Sequence, residues 1–136
     1  MTPEAMQARV REGLPLAATW AVEVLSCSAG NALLRLPAQE GLLRPGGTVS
    51  GPALMGLADM AMWAALLSVT DGRDESLTTN LTITFLRAPA AGAVCAEAHI
   101  IRRGRTLSYG EVLLRAEGAT EPCAHVTSSW INISNR

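Results

Sequence analysis

One carboxylate interrupts an otherwise apolar stretch of this chain, and it is the side chain best suited to chemistry. Residues 53–69 are mostly alanine, leucine and methionine, and Asp59 is the one charged residue among them. An ionised carboxylate in a dry core costs several kcal/mol unless it is paired, hydrogen-bonded or open to a cavity. Asp59 therefore either makes a buried hydrogen bond or salt bridge, or acts as a catalytic carboxylate in the wall of a pocket.

The stretch that carries Asp59 is predicted to be a buried helix. Residues 53–69 contain no proline and are rich in strong helix formers. Pro52 suits the first turn of a helix, and Ser50 or Gly51 can cap that end. The stretch is apolar on nearly every side, which predicts that other elements cover it. At ~1.5 Å per residue it is only about 25 Å long and carries a charge, so we expect no membrane span.

The composition fits one domain over residues 1–136 with an aliphatic core. A net charge of −1 gives no reason to expect nucleic acid or an anionic membrane as a partner. No basic segment followed by an apolar one opens the chain, so we expect a cytoplasmic protein. Cys27, Cys95 and Cys123 lack metal-ligand spacing and are expected to be reduced thiols. The two histidines stand apart from other ligand types, so no metal site is expected.

The rest of the chain alternates between turns and extended runs. Thr2 and Pro3 begin a short helix that Gly13 ends. Residues 20–26 and 31–36 are predicted to form a hairpin, and a glycine-rich loop leads from there to the central helix. Four further strands are predicted over residues 76–87, 93–102, 106–116 and 124–133. The first of these alternates, which predicts that Thr79 shares one face with Leu77, Leu81, Ile83 and Phe85, and Thr78 the other face with Asn80, Thr82 and Thr84.

These elements define the predicted architecture. The connections after the helix are short, which favours antiparallel neighbours. A single antiparallel sheet that covers a helix apolar on all sides has to curl around it. The fold class is therefore α+β, with a curved antiparallel sheet of five to six strands wrapped around one long central helix.

Three motifs stand in order along the chain. Ser50-Gly51-Pro52 opens the central helix, and Asp59 lies seven positions after Pro52. The strand over 79–89 ends in Phe-Leu-Arg-Ala-Pro, and Gly-Arg-Thr-Leu at 104–107 precedes Gly-Glu-Val at 110–112. Together they resemble the hotdog-fold acyl-CoA thioesterases of the phenylacetic-acid-degradation (PaaI-like) type. The helix of that family begins with His-Gly-Gly and carries an acidic residue at the same distance.

The sequence differs from that family's pattern at the N-terminal end of the helix. Ser50 stands in place of the histidine, and Pro52, which has no N–H to donate, replaces the second glycine. Arg44 stands about where many members carry an asparagine that helps bind the thioester carbonyl. Arg44 and Ser50 are therefore candidate substrate-binding residues.

The resemblance implies hydrolysis of an acyl-CoA thioester to the free acid and CoA, with CoA as part of the substrate and no other cofactor. Asp59 would act as a general base toward water, or as a nucleophile that forms a transient anhydride. The backbone N–H of Gly51, at the positive end of the helix, would stabilise the developing oxyanion. One preorganised donor of this kind is worth roughly 3–4 kcal/mol.

The spacing of Gly51 and Asp59 predicts that two subunits share each site. The two residues are eight positions apart, which is about 12 Å along a helix. Reacting groups must lie within ~3.5 Å of one thioester carbon. One subunit would supply Gly51 and its partner Asp59, an arrangement that a two-fold dimer creates twice. We therefore expect an obligate homodimer, with further pairing into a tetramer left open.

Other polar residues are candidates for supporting roles. Thr79 and Asn80, on the strand after the helix, could orient the water or Asp59. Threonine also simply favours strands, and Asn80 can face solvent. A cluster of arginines could bind CoA phosphates through charge-assisted hydrogen bonds, or form a solvated turn. This cluster contains Arg102, Arg103 and Arg105.

Other functions fit the same fold. A non-catalytic acyl-CoA sensor would account for Ser50 and Pro52, but not for the retained carboxylate. A hydratase would need a histidine beside the acid, and residues 44–75 contain none. Catalysis by Cys123, with His125 two residues away, is a further alternative.

Overall fold

A six-stranded antiparallel sheet and one long helix form the core of the fold. The computed structural model describes residues 1–133. The elements are α1 (Pro3–Gly13), α2 (Pro15–Thr19), β1 (Glu23–Ser28), β2 (Asn31–Leu36), α3 (Gly51–Leu67), β3 (Ser76–Phe85), β4 (Val94–Arg103), β5 (Leu107–Ala116) and β6 (Ala124–Asn132). The predicted α+β architecture is confirmed. Among the described residues, no helix combines the length and hydropathy that a membrane crossing requires.

The sheet leaves β3 at one edge, next to the helix that precedes it. The strand order is β1-β2-β4-β5-β6-β3, and every neighbouring pair is antiparallel. The sheet packs one face on α3 and is not closed, so within residues 1–133 β3 is paired with β6 only. An edge strand therefore runs alongside Asp59.

Helix α3 is buried except for one stripe. Ser50 caps it as predicted, and its Oγ accepts a hydrogen bond from the N–H of Ala53 at 3.3 Å. Residues 60–67 are all buried. The positions that are not buried lie in the first half of the helix and recur at helical spacing, so they share one face. This open stripe consists of Gly51, Pro52, Met55, Gly56 and Asp59.

An extra residue in β3 changes which side chains face α3. Thr78 pairs with the buried Trp130 of β6, but Asn80 pairs with Ser129, so Thr79 forms a β-bulge. The sequence predicts uninterrupted alternation, with Thr79 and Leu81 on one face of the strand and Thr78 and Asn80 on the other. That prediction was wrong at this point, because the bulge turns Thr78 toward the helix.

The structure also corrects the start of the first strand. β1 begins at Glu23 rather than at residue 20, because Pro15 starts the short helix α2 and Trp20 follows it. Trp20 packs over α3 at Gly56, where a Cβ would lie 2.7 Å from the indole. The two N-terminal helices thereby cover part of α3.

Candidate active site

Asp59 lies in the middle of α3 and contacts β3. Thr78 Oγ1 donates a hydrogen bond to Asp59 Oδ1 at 2.8 Å. Within residues 1–133, no ion pair involves Asp59. Burial raises the pKa of the Asp59 carboxyl, and the hydrogen bond from Thr78 lowers it in part. A carboxylate held in this way, without a neutralising cation, suits a general base or nucleophile.

A cavity of about 190 Å³ adjoins Asp59. Its walls come from α3, the beginning of β3, β6 and the end of α1. Aromatic and apolar side chains make up much of the lining, with a few polar groups among them, as is usual for a small-molecule site. The lining includes Asp59, Met60, Trp63, Ser76, Thr78 and Trp130.

A second cavity, of about 410 Å³, lies at the N-terminal end of α3. Arg44 and Gly51, both predicted site residues, line it together with Phe85 and Arg87. The first N–H groups of a helix lack intrahelical partners and carry the positive end of the helix dipole. This end of α3 therefore suits an oxygen atom that carries or develops negative charge.

Comparison with known protein families decides the assignment. The family model of the thioesterase superfamily matches residues 46–123, which is more than half of the chain. The chain belongs to the thioesterase superfamily. The matched segment contains all of α3, including Gly51 and Asp59, and the whole of β3.

Individual relatives agree with this assignment. A solved structure from a Silicibacter species, named as a thioesterase, is 34% identical and has a TM-score of 0.85, covering 96% of this chain and 91% of that chain. A Saccharolobus solfataricus protein, named as an esterase, is 31% identical over 91 residues, which are 67% of this chain and 64% of that relative.

A more distant structure shows the shared fold. The PaaI protein of Escherichia coli, from the phenylacetic acid degradation operon, has a TM-score of 0.79 at 17% identity, with 97% of this chain and 96% of that chain covered. The resemblance to hotdog thioesterases of this type is confirmed. The superfamily match and the 34% identical thioesterase structure place the chain among thioester hydrolases.

In this member of the thioesterase superfamily, two of the predicted site residues, Thr79 and Asn80, do not contact Asp59 of their own chain. Thr79 Oγ1 donates its hydrogen bond to the carbonyl oxygen of Ser129 at 3.2 Å. Asn80 lies beyond the bulge, on the outer face of the sheet. The hydroxyl that contacts Asp59 belongs to Thr78. The predicted alternation placed Thr78 on the face of the strand opposite to Thr79.

The predicted CoA-binding arginines lie at the other end of α3 from Gly51 and Arg44. Arg103 lines a cavity of about 20 Å³ near Leu67, the last residue of the helix. Arg105 follows in the turn between β4 and β5, where its carbonyl accepts a hydrogen bond from Asn132 at 3.4 Å. Their contact with CoA phosphates stays a prediction.

Sequence reasoning missed Trp63, a prominent wall of the cavity beside Asp59. Trp63 is four residues after Asp59, which places it one helical turn further along the same face. That spacing is visible in the sequence. The hydrogen bond from Trp63 Nε1 to Asp74 Oδ1, at 3.2 Å, is a tertiary contact that no local pattern indicates.

Proposed function

We propose that the protein is an acyl-CoA thioesterase that releases a free carboxylic acid and CoA. The observation that carries the proposal is the Asp59 carboxylate, hydrogen-bonded to Thr78 in the wall of a cavity that apolar and polar side chains line together. The cavity would hold the acyl group, and the carboxylate would act at the thioester carbon. Membership of the thioesterase superfamily supports this reaction class.

Asp59 acts in one of two ways in this proposal. As a general base, it takes a proton from a water molecule whose oxygen attacks the thioester carbon; the C–S bond then breaks, and the CoA thiolate leaves and is protonated. As a nucleophile, Asp59 attacks directly, releases CoA and forms an anhydride that water hydrolyses. Both routes place negative charge on the carbonyl oxygen, which the N–H of Gly51 would stabilise.

The proposed site is assembled from two subunits. Gly51 and Asp59 lie eight residues apart on one continuous helix, or about 12 Å, so one chain cannot bring both to the same carbonyl. The open stripe of α3 and the edge strand β3 offer a surface for a second copy. Leu77 and Phe85 on that strand are 51% and 52% exposed, and a long edge strand with exposed apolar residues favours pairing with another chain. The proposal therefore includes a homodimer, and leaves a dimer of dimers open.

Four further residues would contact the substrate. Arg44 and Ser50 lie at the N-terminal end of α3, close to the proposed oxyanion site. Arg103 and Arg105 would bind phosphate groups by charge-assisted hydrogen bonds. Because they lie near the C-terminal end of α3 in their own subunit, the CoA that they contact would be the one bound at the site of another subunit.

A thiol-release assay over a panel of acyl-CoA thioesters tests the proposal. We expect the wild type to hydrolyse members of the panel, and Asp59→Asn to lose about 10²–10⁴-fold in kcat, the usual contribution of a positioned acid–base group. Asp71→Asn is the matched control, because Asp71 is an exposed acid in the turn after α3. A wild type that binds acyl-CoA but hydrolyses none of the panel would indicate the non-catalytic sensor instead.

A further inference from the structure

We propose that the indole of Trp63 ends the acyl-binding cavity and thereby limits the length of the acyl group, an inference that rests on the acyl-CoA thioesterase function proposed above. The cavity beside Asp59 extends toward the C-terminal end of α3. Trp63 lies one turn beyond Asp59 on the helix, and Ser76 lies two residues before Thr78 on the antiparallel strand. Both walls therefore continue in the same direction away from the carboxylate.

Trp63 stands between two cavities. Trp63 and Ser76 line the 190 Å³ cavity beside Asp59 and also the 20 Å³ cavity near the end of α3. The smaller cavity continues past Leu67 to Arg103. The Trp63 side chain thus lies between the space beside the carboxylate and a small void on the side of the turn between β4 and β5.

Three contacts hold the indole in place. Its Nε1 donates to Asp74 Oδ1 at 3.2 Å, and the guanidinium carbon of Arg9 lies 5.5 Å from the ring centroid. On the third side, a Cβ at Gly13 would lie 2.6 Å from Trp63 Cη2, so the backbone of α1 packs directly against the ring. A ring held by a hydrogen bond, a cation–π contact and close packing cannot easily turn aside for a longer chain.

The volume of the cavity indicates the class of acyl group. An apolar cavity of roughly 150 Å³ binds a molecule of benzene. In one subunit the cavity beside Asp59 measures about 190 Å³ and opens onto the surface that the proposed second copy covers. Its enclosed part therefore fits an acyl group with about the volume of one six-membered ring, or a short alkyl chain. Long-chain fatty acyl thioesters would have to displace Trp63.

The test compares binding and hydrolysis as the acyl group lengthens. Non-hydrolysable S-alkyl-CoA thioethers of increasing length measure binding, and the matching acyl-CoA thioesters measure kcat/KM. Each methylene that the cavity buries is expected to improve Kd about fourfold. In the wild type, Kd should stop improving once the alkyl chain is longer than the cavity. In Trp63→Leu it should continue for several more methylenes, while affinity for the shortest thioethers stays within a few-fold of the wild type.

A matched control makes the test specific. Trp20→Leu is the matched control, because Trp20 packs on α3 at Gly56 and lines neither cavity, so it loses packing without a change in the length preference. If Trp63→Leu is poorly folded, Trp63→Phe should show a smaller shift in the same direction.

The outcomes separate this inference from the proposed function. An unchanged length preference in folded Trp63 variants, or an equal change in Trp20→Leu, would overturn the role of Trp63. A wild type that hydrolyses no thioester but shows the predicted limit with thioethers would overturn the enzymatic proposal and leave the role of Trp63 standing.

Discussion

At the scale of single residues, Asp59 is a carboxylate whose ionised form is destabilised by its burial in the fold. Burial raises the pKa of the carboxyl because the charged form is poorly solvated. The same shift makes the carboxylate a stronger base. The hydrogen bond from Thr78 offsets part of the desolvation cost, so Thr78 sets how far the pKa of Asp59 rises.

Removal of the Thr78 hydroxyl is therefore expected to move the acid limb of the pH–rate profile. The hydrogen bond favours the ionised form, so in Thr78→Val the pKa of Asp59 rises further and kcat/KM falls at a higher pH than in the wild type. Rates measured from acid to neutral pH check this. Thr79→Val, whose hydroxyl bonds to Ser129 instead, should keep the wild-type profile; an equal shift in both variants would contradict the assignment.

Asp59→Asn is expected to stabilise the fold at neutral pH while it removes activity. A carboxyl whose pKa is raised by folding contributes most to stability at low pH, and this contribution is lost as pH rises through the folded-state pKa. The variant does not titrate. Its gain in the free energy of unfolding, on the order of 1 kcal/mol, should therefore be present at neutral pH and shrink in acid. Urea unfolding at both pH values would disprove this account if the neutral-pH gain is missing.

At the scale of elements, glycine determines how closely the sheet approaches α3. Gly110 of β5 is buried, and a Cβ there would collide with the end of Met62 on α3 and lie 2.7 Å from the carbonyl oxygen of His99 on β4. The strand lies close to the helix because this position has no side chain. The close approach also positions the part of α3 that surrounds Asp59.

Gly110→Ala is accordingly expected to lower the free energy of unfolding by about 1–3 kcal/mol, the usual cost of overpacking. Gly41→Ala is the matched control, since a Cβ at Gly41 meets no atom within 4 Å, and it should stay within about 0.5 kcal/mol of the wild type. Chemical denaturation of both variants gives the comparison. Equal stability of the two would show that Met62 moves aside without strain.

At the scale of the whole molecule, the open surface lies where the proposed chemistry would take place. The stripe of α3 from Gly51 to Asp59 and the edge strand β3 border the cavity beside Asp59 and the cavity at the N-terminal end of α3. A second copy that covers this surface would bring the helix N-terminus of one subunit toward the carboxylate of the other. This arrangement predicts complementation between inactive variants.

Mixed dimers of Asp59→Asn and Gly51→Pro subunits are expected to recover activity that neither variant has alone. Gly51→Pro removes the proposed oxyanion donor, and Asp59→Asn removes the proposed base or nucleophile. In an equal mixture about half of the dimers are mixed, and each has one intact site, so activity should reach about a quarter of the wild-type value. Co-refolded mixtures are compared with each variant refolded alone. If the mixture recovers no activity, either one chain supplies both Gly51 and Asp59 to a site, or these two residues take no part in the reaction.

The sequence by itself determined the elements and the candidate carboxylate, because both follow from local properties. A long apolar run without proline predicts a buried helix over residues 53–69, and the structure has α3 at Gly51–Leu67. Alternation and turn residues located the four strands after the helix to within two residues of their observed ends. Asp59 could be identified as a candidate because a single charged residue in a buried apolar helix is unfavourable unless it is paired, hydrogen-bonded or open to a cavity.

Only the tertiary structure decided which side chains meet Asp59. A single bulge reverses the face of every residue on one side of it, because side chains in a strand alternate with a period of two, so Thr78 replaces Thr79 at the carboxylate. The contacts that hold Trp63 join Arg9, Gly13 and Asp74 from three separate segments. Such contacts depend on how whole elements pack against one another, and local sequence preferences do not determine that packing.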